Sequence, residues 1–123
     1  MNLQSHRSAN DRACFVLKVK PQLLPEFLAA HRSVWPEYLR AFQYAGIDSY
    51  TSFVSSDGLF VGYLEAENPA GALAALAATE IDVRWQTTMA QFFEPRAGAE
   101  GGTSGIALMT EAFDLKESLP HLR

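Results

Sequence analysis

The 123-residue chain is 48% apolar and 20% charged, enough apolar side chain for one hydrophobic core and too much for a disordered, collagen-like or coiled-coil chain. Ten Lys and Arg against 14 Asp and Glu leave a formal net charge of −4, which argues against a nucleic-acid-binding surface. No apolar run is long enough for a membrane span, the lone Cys14 has no internal disulfide partner, and no hydrophobic leader is visible, so the chain is expected in the cytoplasm without nucleic-acid or membrane partners.

Residues 1–12, MNLQSHRSANDR, are polar and aperiodic, and read as a disordered N-terminal arm with nothing to bury. Residues 13–123 then read as one domain. Ala13–Lys20 is a short β-branched apolar run with Lys18 and Lys20 on one side, the pattern of a strand with one partly wet face. Pro25 suits the first turn of a helix, and Leu24, Phe27, Leu28, His31, Trp35, Tyr38, Leu39 and Phe42 follow at three- and four-residue steps before Gly46. Pro36 has no N–H for residue 32, so the helix should kink or break near Val34–Trp35. Asp48–Val54 and Leu59–Ala66 flank Ser55-Ser56-Asp57-Gly58, a hairpin signal. Asn68-Pro69 caps and opens a second helical region, and Thr79-x-x-Asp82 caps a further helix in which Trp85, Met89, Phe92 and Phe93 share a face. The Gly-rich stretch 96–105 reads as a flexible connection to a last strand, Ile106–Leu115.

The order β-α-β-β-α-β points to a ferredoxin-like α+β fold, a four-stranded antiparallel sheet with helices on one face. The other face, expected to carry Val16, Val54, Val61 and Tyr63 beside Lys18, Ser52 and Glu65, needs cover. A homodimer through sheet faces or an exchanged C-terminal strand would supply it.

His6, His31 and His121 are scattered, with no CxxC, HxxxH or HExxH spacing, and no GxGxxG, Walker-type loop or GxSxG is present, so neither a metal nor an organic cofactor is expected. His31 falls on the buried stripe one turn after Phe27 and one turn before Trp35. It reads either as a core-edge histidine bonded to a backbone carbonyl or as a proton donor beside an aromatic pocket, imidazole as a class titrating near ~6.5. Trp85 reads as core or as a ligand platform, and Trp35, Tyr50, Tyr63 and Trp85 together exceed what a small core needs. Aromatic rings stack on the C–H faces of sugars, and tyrosine hydroxyls reach sugar oxygens. Glu37 is a candidate catalytic carboxylate or simply a charge at a helix N-terminus. Glu65, Glu67 and Glu80 read as solvated.

Phe15-Val16-Leu17-Lys18-Val19, then Glu26-Phe27-x3-His31-x3-Trp35-Pro36-Glu37, Gly46-x3-Tyr50 and Thr79-x4-Arg84-Trp85 together resemble the L-rhamnose mutarotase family over residues 13–95, and Glu111–Leu115 is similar to the family's closing segment. The resemblance implies a dimeric ferredoxin-like domain, of the dimeric α+β barrel type, that interconverts the α and β anomers of L-rhamnose or a related 6-deoxy sugar without metal or organic cofactor. By position it makes His31 the proton donor, Tyr50 a sugar-contacting tyrosine and Trp85 the first of two adjacent sugar-contacting tryptophans. Two positions depart. Phe27 stands where the best-known members have tyrosine, and Gln86 where they have the second tryptophan, so these two substrate-binding positions bear on sugar identity. The base that takes the anomeric hydroxyl proton is left between a water, Tyr50 and Glu37. The rival readings are a non-catalytic small-ligand-binding ferredoxin-like module and a cofactor-free dimeric α+β barrel monooxygenase.

Overall fold

Prolines and glycines punctuate the chain where its backbone demands them. The computed structural model describes residues 11–95 and 106–122, so residues 1–10 of the arm read at 1–12 and the connection read at 96–105 lie outside the described residues. Strand β1 spans Asp11–Lys18 and helix α1 Leu24–His31, preceded by a 3-10 turn at Pro21–Leu23. Asp11 and Arg12, expected in the arm, are therefore strand residues. Pro36 opens a separate helix α2, Pro36–Ala45, the break its missing N–H requires. Gly46 ends α2 at φ 96°, donating to the Phe42 and Gln43 carbonyls. Strands β2 (Ile47–Val54) and β3 (Leu59–Ala66) form the hairpin. Its turn needs Gly58 twice over, for φ 96° and because a Cβ there would lie 2.1 Å from the Val19 carbonyl oxygen. Asn68 caps α3 (Pro69–Ala77), its side chain accepting from the Gly71 N–H at 3.1 Å. Thr79 caps α4 (Glu80–Met89) by accepting from the Asp82 N–H at 3.1 Å. A 3-10 turn at Ala90–Phe92 follows, and a short helix α5, Leu115–Ser118, lies near the C-terminus. No described helix is long and apolar enough to cross a membrane.

The sheet is antiparallel in the order β1-β3-β2 and, among the described residues, has three strands rather than the expected four. The place beside β1 is filled without a ladder. Val19 and Phe93 form an isolated bridge, and the Lys20 and Glu94 N–H groups donate to the Phe92 and Lys18 carbonyls. Farther on, the Met109 N–H donates to the Cys14 carbonyl at 2.8 Å, and Arg12 pairs with Glu111 at 2.9 Å. The tail thus runs antiparallel to β1. Residues 106–114 form no strand, and Leu115 opens α5 instead of closing one. One described backbone bond and the ion pairs of Arg12 with Glu111 and Asp114 hold this segment beside β1 but do not make the repeating exchange of bonds that defines a strand.

Register decides which side chains face the helices. Between Ile47 and Ser49 the β2–β3 register shifts, and Tyr50, Ser52 and Val54 then sit opposite Leu64, Gly62 and Phe60. Directly opposed residues share a face, and Phe60, Gly62 and Leu64 are buried. Ser52 and Val54 therefore belong to the helix-covered face, not to the open face where the sequence pattern placed them, because one extra residue inverts the alternation. The open face carries Val16, Val61 and Tyr63 as expected, with Thr51 and Phe53 beside them. Phe53 is 66% exposed.

Phe15, Val19, Phe27, Phe60 and Leu64 from the sheet side and α1 meet Leu73, Leu76, Ile81, Met89 and Phe92 in one core. Gly62 is required by Phe15, whose Cζ would lie 2.3 Å from an added Cβ. Phe15 is buried and in ring contact with Phe60 and Tyr50, so it has no room to retreat. Gly62→Ala should lower the unfolding free energy by about 1–3 kcal/mol from overpacking, read as a lower urea midpoint at unchanged slope. Gly46→Ala meets nothing within 4 Å and should lose only about 1–2 kcal/mol, from its φ alone.

Candidate active site

His31 is the last residue of α1, half-buried, with its ring 4.3 Å from that of Phe27 and 5.5 Å from that of Trp85, the latter edge-on. Its Nδ1 lies 2.9 Å from the Phe27 carbonyl oxygen one turn earlier. A carbonyl only accepts, so Nδ1 carries the hydrogen and the neutral ring presents Nε2 as its unprotonated nitrogen. Of the two expectations for His31, the bond to a backbone carbonyl is met, and in the neutral ring that bond leaves Nε2 without a hydrogen.

Trp85 stands at the centre of the aromatic wall. Tyr38 of α2 stacks on it with centroids 5.2 Å apart, and Trp35 meets it edge-on at 5.1 Å. Only 6% of Trp85 is exposed, so it is a wedged core residue as well as a neighbour of His31. An open platform is not what surrounds it. Pro36 creates this arrangement by ending one helix and starting the next, so that Trp35 at the cap and Tyr38 in the first turn both reach α4.

Beneath Trp85 lies a polar cluster. The Tyr38 hydroxyl donates to Asp82 Oδ1, and Gln86 Nε2 donates to the same oxygen at 3.3 Å. Gln86 Nε2 also approaches the Tyr38 hydroxyl oxygen at 3.4 Å. Burial, and then the hydrogen bond to Asp82, push the Tyr38 phenol pKa well above its ordinary value, so Tyr38 is a fixed donor. Sequence reading missed Tyr38 and Asp82 as polar partners. The signal was present in part, since both stand on stripes otherwise apolar, but Asp82 was accounted for by its capping pattern.

Of the expected site residues, the fold brings Phe27, His31 and Trp85 together, while Gln86 bonds to Tyr38 and Asp82. Among the described residues, the ring contacts of Tyr50 are with Phe15, stacked at 6.4 Å, and Phe42, tilted at 5.5 Å, so it reaches the wall through intermediate rings, by Phe42 and Tyr38 on one side and by Phe15 and Phe60 to Phe27 on the other. Although 37% of the residue is exposed, the protein crowded around its hydroxyl pushes that pKa up, leaving a neutral phenol. Glu37 lies on the surface, 3.5 Å from Arg84. Among the described residues, Glu111, Asp114 and Glu117 bring carboxylate oxygens within 4.8 Å of one another, but Arg12 already pairs with Glu111 and Asp114.

The sequence model of the L-rhamnose mutarotase family matches residues 12–115. An L-rhamnose mutarotase from Sinorhizobium fredii is 29% identical over 92 residues, covering 73% of this chain and 86% of its own. One from Acidiphilium cryptum is 29% identical over 97 residues, covering 78% and 92%. The crystal structure of an L-rhamnose mutarotase from Formosa agariphila superposes with a TM-score of 0.66 at 17% identity, over 85% of this chain and 98% of that one. A candidate antibiotic biosynthesis monooxygenase from Nitrosomonas europaea gives 0.56 at 19% identity, over 85% and 92%. At these identities the structural likenesses speak for the fold alone.

The His31 geometry has a direct spectroscopic consequence. In the neutral protein, nitrogen-15 shifts and long-range proton couplings of the His31 ring should report the Nδ1–H tautomer. Finding the Nε2–H form, the commoner one for exposed histidine, would contradict the bond to the Phe27 carbonyl.

Proposed function

The chain belongs to the L-rhamnose mutarotase family, and from that membership we propose that it interconverts the α and β anomers of L-rhamnose, or of a related 6-deoxy sugar, with His31 moving the proton. The observation that supports this most is the His31 ring itself, tied at Nδ1 to the Phe27 carbonyl and set against Phe27 and Trp85. When the ring is protonated, that carbonyl holds the Nδ1–H and Nε2–H is the proton to give. Donation to the ring oxygen, with loss of the anomeric hydroxyl proton to a base, breaks the bond from C1 to the ring oxygen and leaves the open-chain aldehyde. Rotation about C1–C2 turns the other carbonyl face to the ring hydroxyl. Reclosure returns the proton of the attacking hydroxyl to Nε2 while the base gives its proton back to the former carbonyl oxygen, restoring the anomeric hydroxyl. Sugars mutarotate unaided, so the barrier to be lowered is modest and acid–base help suffices.

Phe27 and Trp85 supply apolar wall, and Gln86 and Tyr50 supply polar groups toward the sugar. Of the candidate bases, Tyr50 is a neutral phenol raised above its ordinary pKa, and Glu37 is engaged with Arg84 on the surface. These placements favour a water as the proton acceptor. The open sheet face supports a homodimer: Val16, Val61 and Tyr63 are only partly covered, and Phe53 stands out from it. The same proposal places the protein in the cytoplasm, where the free thiol of Cys14 stays reduced.

Replacing His31 tests the reading. His31→Asn keeps an N–H for the Phe27 carbonyl but exchanges no proton at neutral pH. The anomer exchange rate of the folded variant at saturating L-rhamnose, followed by NMR, should fall by ~10²–10⁴-fold while binding is largely kept. A rate within a few-fold of wild type removes His31 from the mechanism. For the assembly, light scattering at micromolar concentration should give the mass of two chains, and Phe53→Lys should lower it toward one. A monomeric wild type would refute the dimer.

A further inference from the structure

A cleft of about 400 Å³ opens between the head of α2 and the exposed side of α4, a volume within the range of small-ligand sites, about 300–1,000 Å³. Trp35 and Glu37 wall it from α2, and Ile81, Val83 and Arg84 from α4, with Thr87 and Thr88 one turn farther along. Trp35 meets Trp85 edge-on and is half-buried, so the indole serves the core and the cleft at once.

The polar groups of this cleft are mostly unspent. Arg84 Nη2 lies 3.5 Å from Glu37 Oε1, and both side chains are more than half exposed. A well-made contact of this kind closes to about 2.7–2.9 Å, and an exposed pair adds little to stability. The pair therefore does not hold the fold together. A guanidinium carries five N–H donors and a carboxylate about four acceptor positions, so one long contact leaves most of both for a ligand. Thr87 and Thr88 have committed their hydroxyl protons to the Val83 and Arg84 carbonyls at 2.8 and 2.9 Å. They can offer the cleft methyl groups and acceptor oxygens, not donors.

An indole, aliphatic side chains and one pair of opposite charges in contact define the ligand. A wholly apolar molecule would desolvate both charges without return. A lone anion or cation would be drawn by one member of the pair and repelled by the other. A neutral polyol meets both, since each hydroxyl gives a proton to Glu37 or takes one from Arg84, and the C–H face of a sugar ring lies well on an indole. We propose that this cleft is a second, non-catalytic saccharide subsite, which takes a neutral pyranose against Trp35 with its hydroxyls bridging Glu37 and Arg84. Among the described residues that line it there is no histidine, and its carboxylate is paired with Arg84, so it binds sugar without moving protons. It stands apart from the assignment of His31 and does not need it.

The test titrates the full chain with methyl α-L-rhamnopyranoside, whose locked anomeric carbon lets binding be read without turnover. Wild type, Arg84→Gln and His31→Asn are followed by NMR at the Trp35 indole N–H and the backbone amides of Val83, Arg84, Thr87 and Thr88. In wild type these signals should shift saturably, with a dissociation constant on the order of 1 mM. Arg84→Gln, a change on an exposed side chain, should raise that constant on the order of 10-fold and leave the anomer exchange rate at saturating L-rhamnose unchanged. His31→Asn should leave binding in the cleft unchanged. Absent or non-saturating shifts, or binding indifferent to Arg84→Gln, overturn the proposal. A fall of the exchange rate together with binding in Arg84→Gln also overturns it, by making the cleft part of the reaction site. Saturable binding in the cleft of a wild type that exchanges no anomers would refute the mutarotase reading and support the subsite. Exchange without binding in the cleft would do the reverse.

Discussion

Phe27 is the contact on which the rest of the site depends. It is 2% exposed and touches four rings: Phe60 of β3, Phe92 and Phe93 after α4, and His31 one turn on. Three of these are edge-on contacts at 5.5–5.8 Å, the geometry in which ring edges meet ring faces favourably. One side chain therefore locks α1 to the sheet and to the end of α4. Its carbonyl then fixes His31. Core packing and the orientation of the His31 imidazole are thus set by two ends of the same residue, and neither needs a side-chain hydroxyl.

Pro36 imposes the second constraint. By ending α1 and restarting as α2 it breaks the straight stripe that Phe27, His31, Trp35 and Tyr38 would otherwise share. Phe27 goes with α1 toward Phe60 and Phe93, while His31 from α1 and Trp35 and Tyr38 from beyond the break all meet Trp85 of α4. Trp85 is then held from both sides of the break. It is better described as the partition between an imidazole and a carboxylate cluster than as a platform. Packing of this density lets buried polar groups such as Tyr38 and Asp82 be held in one geometry, since neither ring nor carboxylate has a second place to go.

Sequence by itself determined most of the elements and the family. The broken helix at Pro36, the stop at Gly46, the hairpin at Asp57-Gly58, the caps at Asn68 and Thr79 and the family follow from local rules, because each depends on residues within a few positions of one another. Placing His31 one turn from Phe27 needed only helical period. Tertiary structure alone decided the rest. The register shift after Ile47 moved Ser52 and Val54 to the covered face, since pairing with β3 and not alternation sets the face. The tail beside β1 bridges it at single points instead of forming a strand, since a ladder needs successive backbone bonds on both chains and not just an apolar run. Tyr50 packed against Phe15 and Phe42, and Asp82, legible as a cap residue, became a buried partner of Tyr38 from 44 residues earlier. Contacts between residues so far apart in sequence are fixed by how helices pack on the sheet, and no local period encodes them.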